Sequence, residues 1–455
     1  MGSGLALHAA ETGLSVVVHD LAAERTEAVP RDATSAQRTV AAAEANEFVA
    51  ALAQPRRVLL CVPAGGPVDA SLATLLPHLS AGDVVVDGGN SHWRDTERRQ
   101  AEAAMHAVEF AGCGISGGVA GARHGASWMF GGSEPAWQAF EPIAQALAAS
   151  GTDGPCAARL GPGGAGHFAK MVHNAIEYGE MQLIAESYGL LREGLGLGAD
   201  RLAVICSSWN EGPLRGYLMG LTARLFKVPD PETDRPLVDL VQDSAAQTGT
   251  GRWSVQFALE SGVPVPTLSA AVDARTLSAQ HDLRRASRQT LSTPMGSRLT
   301  GDEQGWIDAA RDALIASRLC AHAQGMALIE AGNETHGWSI DRTELMRVWS
   351  AGSILSSELL AMAPATPAFT EAHAELLADT QPRWRAAVAA AAERGIPMPA
   401  TAASLAWHDS LAAERLPQNL VAAQRDAFGA HAFLRSDHPE RGPVHGNWTT
   451  PLSHS

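Results

Sequence analysis

The sequence predicts a doubly wound α/β domain, followed by a large all-α domain and an extended C-terminal tail. In the amino-terminal third, short β-branched runs alternate with segments of helical periodicity, which is the pattern of a parallel sheet between helices. Beyond a glycine-rich segment at 161–166, strand signals nearly vanish and long helical patterns follow. From Asp426 onward no long helical pattern remains. We therefore expect the three parts at 1–163, 164–425 and 426–455.

Four segments of the first domain are predicted to be buried parallel strands, because each is a short run rich in β-branched or aromatic residues. They are 15–20, 57–62, 83–89 and 108–115, and helical candidates at 22–30, 66–78, 94–105 and 134–149 lie between and after them. The alternation is typical of a Rossmann-like fold, in which ligands bind at the carboxyl ends of the strands. At those ends the sequence places Asp20, Val62-Pro63-Ala64, Gly88-Gly89-Asn90 and Ser116-Gly117-Gly118.

The second domain is predicted to be all-α because its apolar residues recur with helical spacing. Its helical segments are 166–195, 200–208, 212–226, 236–247, 253–261, 265–282, 302–332, 340–361, 369–378 and 380–394. The tail that follows carries His431 and Trp448 but little core of its own. It is either mobile or docked on another surface.

Composition excludes several classes of function. A formal net charge of −15 and a pI near 5.6 give no electrostatic reason to bind nucleic acid or an anionic membrane. The five cysteines are widely spaced without a C-x-x-C pair, which favours reduced thiols over disulfides or a zinc site, and we expect no metal. The first basic residue is Arg25, and no apolar run reaches the roughly 20 residues that span a bilayer. A soluble, cytoplasmic protein is expected.

The most informative segment is the predicted helix that begins at Gly166. Five polar residues recur there at i, i+3, i+4, i+7 and i+8, so they lie on one face: Lys170, His173, Asn174, Glu177 and Tyr178. Lys and Glu are rarely buried without a partner, and desolvation lowers the pKa of a lysine enough for it to act as a base. The spacing alone leaves two interpretations open, an acid/base site or a solvated stripe with an incidental Lys/Glu pair.

Several motifs occur in a fixed order along the chain. They are Asp87-Gly-Gly-Asn-Ser91, Ser116-Gly-Gly118, Gly164-Ala-Gly-His-Phe168, Lys170-Met-Val-His-Asn174, Ile176-Glu-Tyr-Gly179, Gly249-Thr-Gly251, Gln424-Arg-Asp426 and Phe428-Gly-Ala-His431. Each triplet alone is a weak signal, but the collinear set is very specific. The chain resembles the 6-phosphogluconate dehydrogenases, the decarboxylating enzymes of the pentose phosphate pathway, over essentially its whole length.

The resemblance implies a reaction and two catalytic residues. The family oxidises the 3-hydroxyl of 6-phosphogluconate by hydride transfer to a nicotinamide, and the β-keto acid then loses CO2 to give an enediol and finally ribulose 5-phosphate. This sequence needs a base for the hydroxyl proton, a cation that polarises the ketone, and an acid that protonates C1. Lys170 matches the family's lysine, which performs the first two tasks by cycling its proton, and Glu177 matches the acid.

The resemblance also implies the substrate-binding residues. The positions that match the carboxylate and hydroxyl contacts are Asn90, Ser116, Gly117, Gly118, His173 and Asn174. Tyr178, Arg275 and Arg425 match phosphate ligands, for which the fork of an arginine is suited, and His431 matches a further substrate contact. In the family, the last two come from the neighbouring subunit's tail. A homodimer is therefore expected to be the catalytic unit.

For the cofactor, the resemblance implies NAD or NADP in the first domain, and the matching positions are Gly2, Asp20, Val62, Pro63, Ala64 and Asn90. NAD is favoured over NADP, because a carboxylate at Asp20 accepts hydrogen bonds from the adenosine ribose and repels a 2′-phosphate. Members that prefer NADP carry Asn-Arg-Thr where this chain has Asp20-Leu21-Ala22. The alternative is that Asp20 only ends the strand and that Arg25 replaces the missing phosphate ligand.

Two departures from the family pattern concern the substrate. The family's phosphate-contacting lysine is Thr248 in this chain, so one cation on the substrate phosphate is missing unless Arg252 turns inward. The acidic pair that follows the family's Ser-Gly-Gly is replaced by Val119-Ala120, which alters the expected rim of the substrate site.

A third departure is at the start of the chain. Family members open with a β-strand and a Gly-x-Ala/Gly-x-x-Gly turn, whereas Met1 to Leu7 aligns only with the end of that fingerprint, with Gly2 in the third glycine's place. The first strand is therefore expected to be missing, through a mis-set start codon or as a truncated form with poor cofactor binding. A self-sufficient phosphate loop at Gly2-Ser3-Gly4 is a weaker alternative, because no strand precedes it.

Two alternatives to the main function stay open. Short β-hydroxyacid dehydrogenases share the Ser-Gly-Gly and Lys-x-x-x-Asn signals, but they lack the long helical extension and the Ile-Glu-Tyr-Gly continuation. The other alternative is a chain that binds its cofactor poorly because the first strand is absent.

Overall fold

The computed structural model describes residues 1–33, 38–292, 298–364, 366 and 368–448. It divides the chain into two compact units, a larger one from Met1 to Ser404 and a smaller one that begins at Leu405. Within the described residues, no helix is both long enough and apolar enough to cross a membrane.

The larger unit begins with the predicted α/β region. Its main sheet has the order β3-β4-β5-β6-β9, in which the β5–β6 pair is antiparallel and the other pairs are parallel. The strands of this region are β1 Val16–Val18, β2 Thr39–Ala41, β3 Arg57–Leu60, β4 Val84–Asp87, β5 Glu109–Ser116, β6 Ser127–Gly131, β7 Ser150–Gly151, β8 Gly154–Pro155 and β9 Ala157–Gly161. The four predicted strands correspond to β1, β3, β4 and β5, whereas the others lack strong β-branched runs.

Both faces of the main sheet are covered, as a doubly wound fold requires. Val84 and Val86 of β4 point into one core with Trp128, whereas Val85 points into a second core with Val68. This alternation follows from the two-residue period of a strand. The surrounding helices are α1 Gly2–Glu11, α2 Ala23–Asp32, α3 Ala45–Ala50, α4 Gly66–Leu75, α5 Trp93–Ala104, α6 Gly118–His124 and α7 Glu134–Leu147.

The strands at the start of the chain form a sheet of their own. β1 pairs in parallel with β2, and within the described residues neither strand is hydrogen-bonded to the five-stranded sheet. Val16 of β1 and Leu59 of β3 nevertheless pack against the same core, which also contains Leu5 of α1. The two-stranded parallel sheet and the mixed five-stranded sheet therefore share one hydrophobic core.

The predicted all-α region is helical. The helices after β9 are α8 Ala165–Gly189, α9 Ala199–Trp209, α10 Tyr217–Leu225, α11 Thr250–Glu260, α12 Pro266–Ser278, α13 His281–Thr290, α14 Glu303–His336, α15 Arg342–Trp349, α16 Glu358–Met362, α17 Glu371–Glu393, α18 Pro399–Ala412 and α19 Gln418–Gly429. The long helices α8 and α14 approach closely, since a Cβ at Gly325 of α14 would lie 2.4 Å from the Ile176 side chain of α8. The Rossmann-like and all-α fold class is confirmed.

Four of the predicted helical segments differ from the structure. Segment 236–247 contains only a 3₁₀ turn, Leu237–Leu240, because its apolar side chains stay exposed and no packing stabilises a helix. Segment 340–361 breaks between α15 and α16, where Gly352 has a φ of +66°. The segments 369–378 and 380–394 form one helix, α17, which includes Pro382.

The smaller unit organises its tail around Asp426, near the end of α19. The Asp426 carboxylate accepts hydrogen bonds from the Gly446 N–H at 2.8 Å, the Trp448 Nε1–H at 2.7 Å and the Ala432 N–H at 2.9 Å. These hydrogen bonds hold the pKa of Asp426 well below its usual range. The described part of the tail therefore has a polar centre instead of a large apolar core.

Candidate active site

Helix α8 presents the predicted polar stripe to β5 of the sheet. A Cβ on Gly114 of β5 would lie 2.2 Å from the Lys170 Cβ, so only a glycine allows this helix and strand to approach so closely. Lys170 is 5% exposed and His173 is fully buried, which is inconsistent with a solvated stripe. The lysine side chain therefore lies in a packed layer between α8 and the sheet.

The His173 imidazole is the centre of the stripe. Its Nδ1 is 3.3 Å from Lys170 Nζ, 3.2 Å from Asn174 Oδ1 and 3.7 Å from Glu177 Oε2. Its Nε2 is 2.9 Å from the Ser116 Oγ at the end of β5. Four of the predicted site residues thus surround one ring, and we call these five residues the His173 cluster.

Burial shifts the pKa values of the three titratable groups in the cluster. It lowers the pKa of Lys170 to about 8, although the nearby Glu177 carboxylate opposes the shift. Burial also raises the pKa of Glu177, against the effects of Lys170 and Arg275. Burial and the Lys170 charge keep the pKa of His173 well below its usual value. A lysine that loses its proton readily therefore lies near a carboxyl group that retains one.

Tyr178, the residue directly after Glu177 on α8, forms a stacked pair with Arg275 of α12. The Arg275 guanidinium carbon is 3.4 Å from the centroid of the buried Tyr178 ring. The guanidinium also donates to the Ala246 carbonyl at 3.4 Å. Stacking fixes the plane of the guanidinium, which leaves a cation with oriented donors close to the cluster.

The Ser116-Gly117-Gly118 turn is closed by a segment that is distant in sequence. Gly117 has a φ of +124°, and a Cβ there would lie 2.4 Å from the Gly352 carbonyl oxygen. The Ser116 Oγ also accepts a hydrogen bond from the Ile354 N–H at 3.2 Å. The turn between α15 and α16 therefore holds the end of β5 in place.

Two residues that sequence reasoning missed touch the cluster. Ser353 Oγ is 3.2 Å from His173 Nε2, and Thr250 Oγ1 accepts from Asn174 Nδ2 at 3.2 Å. Thr250 lies in the Gly249-Thr-Gly251 motif, which was a usable signal. Ser353 was not predicted as a site residue, because 340–361 was expected to be one continuous helix without a turn at Ser353.

A buried charged network on α8 and α14 lies behind the cluster and was also missed. Glu180 Oε1 accepts from Arg318 at 2.8 Å and is 2.9 Å from His322 Nε2. Burial alone would raise the pKa of Glu180, but Arg318 and His322 lower it below its usual value. The carboxylate therefore stays charged and contributes to the raised pKa of Glu177.

Other predicted residues lie outside the cluster. Asn90 after β4 and Thr248 before α11 are exposed and, within the described residues, are not hydrogen-bonded to it. Arg252, the suggested substitute for a phosphate-binding lysine, is also exposed. Arg425 in α19 and His431 just after it belong to the smaller unit, where both are exposed.

An open cleft of about 1110 Å³ borders the cluster, and Gly117 and Ser353 line it. The cleft is also lined by the exposed side of the turn between α15 and α16 and by His124 and Arg215. The five residues of the His173 cluster do not line the cleft, but Ser353, which does, has its Oγ 3.2 Å from His173 Nε2.

The predicted cofactor positions lie at strand ends. The amino end of α1 meets the end of β3, because a Cβ on Gly2 would be 3.2 Å from the Cys61 Cβ. Pro63 and Ala64, which follow β3, are exposed. A helix amino terminus beside an exposed strand end fits the phosphates of a dinucleotide.

Asp20 lies two residues after the end of β1 and is exposed, and its carboxylate accepts a hydrogen bond from the Ala22 N–H at 2.9 Å. Among the described residues, no group of three or more His, Cys, Asp or Glu side chains is arranged to hold a metal ion.

Two family models match the chain. The NAD-binding domain of 6-phosphogluconate dehydrogenase matches residues 1–161, and the C-terminal domain of 6-phosphogluconate dehydrogenase matches residues 166–448. The chain belongs to the 6-phosphogluconate dehydrogenase family. It is accordingly an NAD(P)-dependent, decarboxylating oxidoreductase.

Named relatives agree with this assignment. A decarboxylating 6-phosphogluconate dehydrogenase of Synechococcus elongatus is 45% identical over 98% of this chain and 97% of the relative. An NADP(+)-dependent, decarboxylating relative of Bacillus subtilis is 39% identical over 98% of this chain and 97% of its own length. The 6-phosphogluconate dehydrogenase of Plasmodium falciparum, described in apo form and in complex with its cofactor NADP+ or its substrate 6-phosphogluconate, superposes with a TM-score of 0.91 at 33% identity and covers 98% of both chains.

These matches favour neither alternative function. The C-terminal domain of the family spans residues 166–448, the region that short β-hydroxyacid dehydrogenases were expected to lack. The NAD-binding domain of the family matches residues 1–161.

Proposed function

We propose that this chain converts 6-phospho-D-gluconate to D-ribulose 5-phosphate and CO2 with reduction of NAD(P), a step of the pentose phosphate pathway. The observation that supports this most directly is the buried Lys170 amine, 3.3 Å from His173 Nδ1 on a helix face shared with Glu177. In a family of decarboxylating dehydrogenases, that pair supplies the base, the cation and the acid that the reaction requires.

Lys170 acts first, as the base for the 3-hydroxyl proton. A pKa of about 8 leaves a fraction of its amine uncharged near neutral pH. When bound, the nicotinamide supplies the hydride acceptor. Once protonated, Lys170 donates a hydrogen bond to the new ketone and stabilises the negative charge that develops as CO2 leaves.

Glu177 acts last, as the acid that protonates C1 of the enediol. Its raised pKa keeps a proton available at a pH where an exposed glutamate is ionised. The Lys170 amine and the Glu177 carboxyl lie on the same face of α8, so both reach a substrate held along that face.

The remaining proposed contacts orient the substrate. Asn90, Ser116, Gly117, Gly118, His173 and Asn174 bind the carboxylate and hydroxyls, and Tyr178, Thr248, Arg275, Arg425 and His431 form the phosphate end. The Arg275 guanidinium is held in one plane by stacking on Tyr178. This supports its place at the phosphate end, because a planar guanidinium pairs well with phosphate oxygens. Asn174 is also oriented by Thr250.

We further propose that the active unit is a homodimer of two-domain subunits, with the dinucleotide-binding domain at 1–163, the helical domain at 164–425 and the tail at 426–455. In this arrangement Arg425 and His431 enter the partner's site. Both side chains are exposed in the smaller unit, which is compatible with a role in a neighbouring subunit.

The proposed cofactor is NAD in preference to NADP. Asp20, Val62, Pro63, Ala64, Asn90 and the start of α1 at Gly2 would hold it. The exposed Asp20 carboxylate supports the preference, because it repels an added 2′-phosphate.

An assay of purified protein tests the function. With 6-phosphogluconate and NAD or NADP, absorbance at the nicotinamide band and released CO2 should rise in equal amounts. Reduction without CO2, or turnover only of a short β-hydroxy acid, would refute the proposal.

Glu177→Gln should mainly slow the last proton transfer. In heavy water, exchange of the C1 hydrogen of ribulose 5-phosphate should fall by about 10²–10⁴-fold, the usual contribution of a general acid. Hydride transfer in the forward direction should fall much less. Glu193→Gln changes an exposed glutamate that lies beyond the end of α8 at Gly189, and this control should leave exchange unchanged. Exchange at the wild-type rate in Glu177→Gln would exclude Glu177 as the acid.

Thr248→Lys should lower the KM for 6-phosphogluconate. A charge-assisted hydrogen bond to phosphate contributes about 1.5–3 kcal/mol, which corresponds to roughly a tenfold or larger change in affinity. Thr12→Lys adds the same charge at an exposed position in the first domain and should have no effect. An unchanged or raised KM in Thr248→Lys would indicate that Arg252 already occupies the site or that the natural substrate differs there.

A further inference from the structure

Two hydroxyl groups from separate parts of the chain converge on one nitrogen of His173. Ser353, 2% exposed, has its Oγ 3.2 Å from Nε2, and Ser116 Oγ is 2.9 Å from the same atom. Each oxygen also accepts a backbone N–H, Ser353 from Leu355 at 3.0 Å and Ser116 from Ile354 at 3.2 Å. Each hydroxyl therefore still has its own hydrogen to donate.

This convergence favours one of the two neutral tautomers of His173, because in the other tautomer neither hydroxyl hydrogen has an acceptor among the hydrogen bonds of the described residues. Among the hydrogen bonds of the described residues, His173 Nε2 is the acceptor within reach of both hydroxyls. A nitrogen that accepts has no hydrogen in the neutral imidazole, so the hydrogen lies on Nδ1. The Nδ1–H can then donate to Asn174 Oδ1 at 3.2 Å.

A hydrogen on Nδ1 affects the protonation of Lys170, because the Lys170 Nζ is 3.3 Å from Nδ1. An ammonium group would direct an N–H toward another N–H, whereas an uncharged amine offers its lone pair. In the opposite tautomer, Nδ1 would accept from the ammonium and stabilise the charged lysine. The Nδ1–H form of His173 therefore favours the free base of Lys170.

We propose that Ser353 is a positioning residue that, together with Ser116, stabilises the Nδ1–H tautomer of His173 and thereby keeps Lys170 available as a base. This role rests on the proposed function, and it adds Ser353, from the turn between α15 and α16, to the residues that support the reaction. The other titratable groups that act on Lys170 and His173 are Glu177 on α8 and His322 on α14. Arg275 on α12 acts on Glu177, as does Glu180, which is paired with Arg318. Ser353→Ala changes none of these groups. A shift of the Lys170 pKa in that variant would therefore result from the loss of the Ser353 hydroxyl.

The lysine content of the chain makes a direct test possible. The sequence contains two lysines, Lys170 and the exposed Lys227. Lysine labelled with ¹³C at Cε gives one NMR signal from each, and Lys227→Arg assigns them. In Ser353→Ala, the Lys170 signal should titrate about half a unit to one unit higher than in the wild type, as expected for loss of one neutral hydrogen bond.

Kinetics supply the second readout. The acidic limb of kcat/KM against pH should move upward by the same amount, because Lys170 must lose its proton in the free enzyme. Ser353→Thr keeps the hydroxyl and should restore both values. Ser353→Cys, a weaker donor, should give an intermediate shift and replaces the alanine variant if that variant does not fold. Ser350→Ala, whose hydroxyl donates to the Arg347 carbonyl, is the matched control and should shift neither.

The outcomes separate the two proposals. An unshifted or lowered Lys170 titration in Ser353→Ala overturns the positioning role, even when activity falls. A shifted titration supports it, whether or not 6-phosphogluconate is the substrate. Failure of the wild type to turn over 6-phosphogluconate refutes the proposed function alone.

Discussion

Replacement of Lys170 should remove both oxidation and decarboxylation. Lys170→Ala is expected to lower turnover by about 10²–10⁴-fold or more, because the variant lacks the base for the hydroxyl and the cation for the ketone. Reduced nicotinamide and CO2 should disappear together, since the second step uses the product of the first. The measurement is a parallel assay of both products at saturating cofactor.

The controls for Lys170 follow from its surroundings. Because its stem lies over Gly114, Lys170→Met keeps most of the packed volume and should lose activity without a large change in Tm. Lys227→Ala removes the other lysine, which is exposed, and should remain active. Near-normal turnover in Lys170→Met or Lys170→Ala would refute the assignment.

The pH profile provides a further check on Lys170. Its pKa of about 8 means that the ammonium form dominates at lower pH, where it cannot accept the hydroxyl proton. The wild-type kcat/KM should therefore rise as the pH increases toward 8. A flat profile across this range would indicate that another group is the base.

Cofactor preference should change when Asp20 and Leu21, which follow β1, are replaced. The wild type is expected to have the higher kcat/KM with NAD, and the double variant Asp20→Asn/Leu21→Arg should raise kcat/KM with NADP by about 10- to 100-fold. The variant removes the repelling carboxylate and adds a guanidinium that pairs with the 2′-phosphate. Leu21 is fully exposed, so the arginine has room there.

The choice of asparagine preserves the local turn. Asp20 Oδ1 accepts the Ala22 N–H, and the Asn amide oxygen can do the same. Asp32→Asn, at the far end of α2, is the control for loss of one exposed carboxylate. A higher kcat/KM for NADP in the wild type would contradict the preference. Arg25→Ala would then show whether Arg25 is the substitute phosphate ligand.

The sequence determined those features that depend on local periodicity. The three valines of β4 predict a strand buried on both faces, and the structure places Val85 in one core and its neighbours in the other. The spacing of Lys170, His173 and Glu177 similarly predicts a shared helix face, because residues that are three or four positions apart meet within one helix. Neither inference needs knowledge of distant parts of the chain.

The tertiary structure decided what surrounds that face. Ser353 is 180 residues from His173 in sequence and Thr250 is 76 residues from Asn174, so no periodic pattern links them. Burial of Lys170 also depends on Gly114 of β5, which lets the sheet approach α8. A helix sets the relative directions of its own side chains, but their desolvation and their hydrogen-bond partners come from other elements packed against it. The sequence by itself therefore predicted that Lys170, His173 and Glu177 share one helix face, whereas only packing determined their pKa values and the hydroxyls near His173.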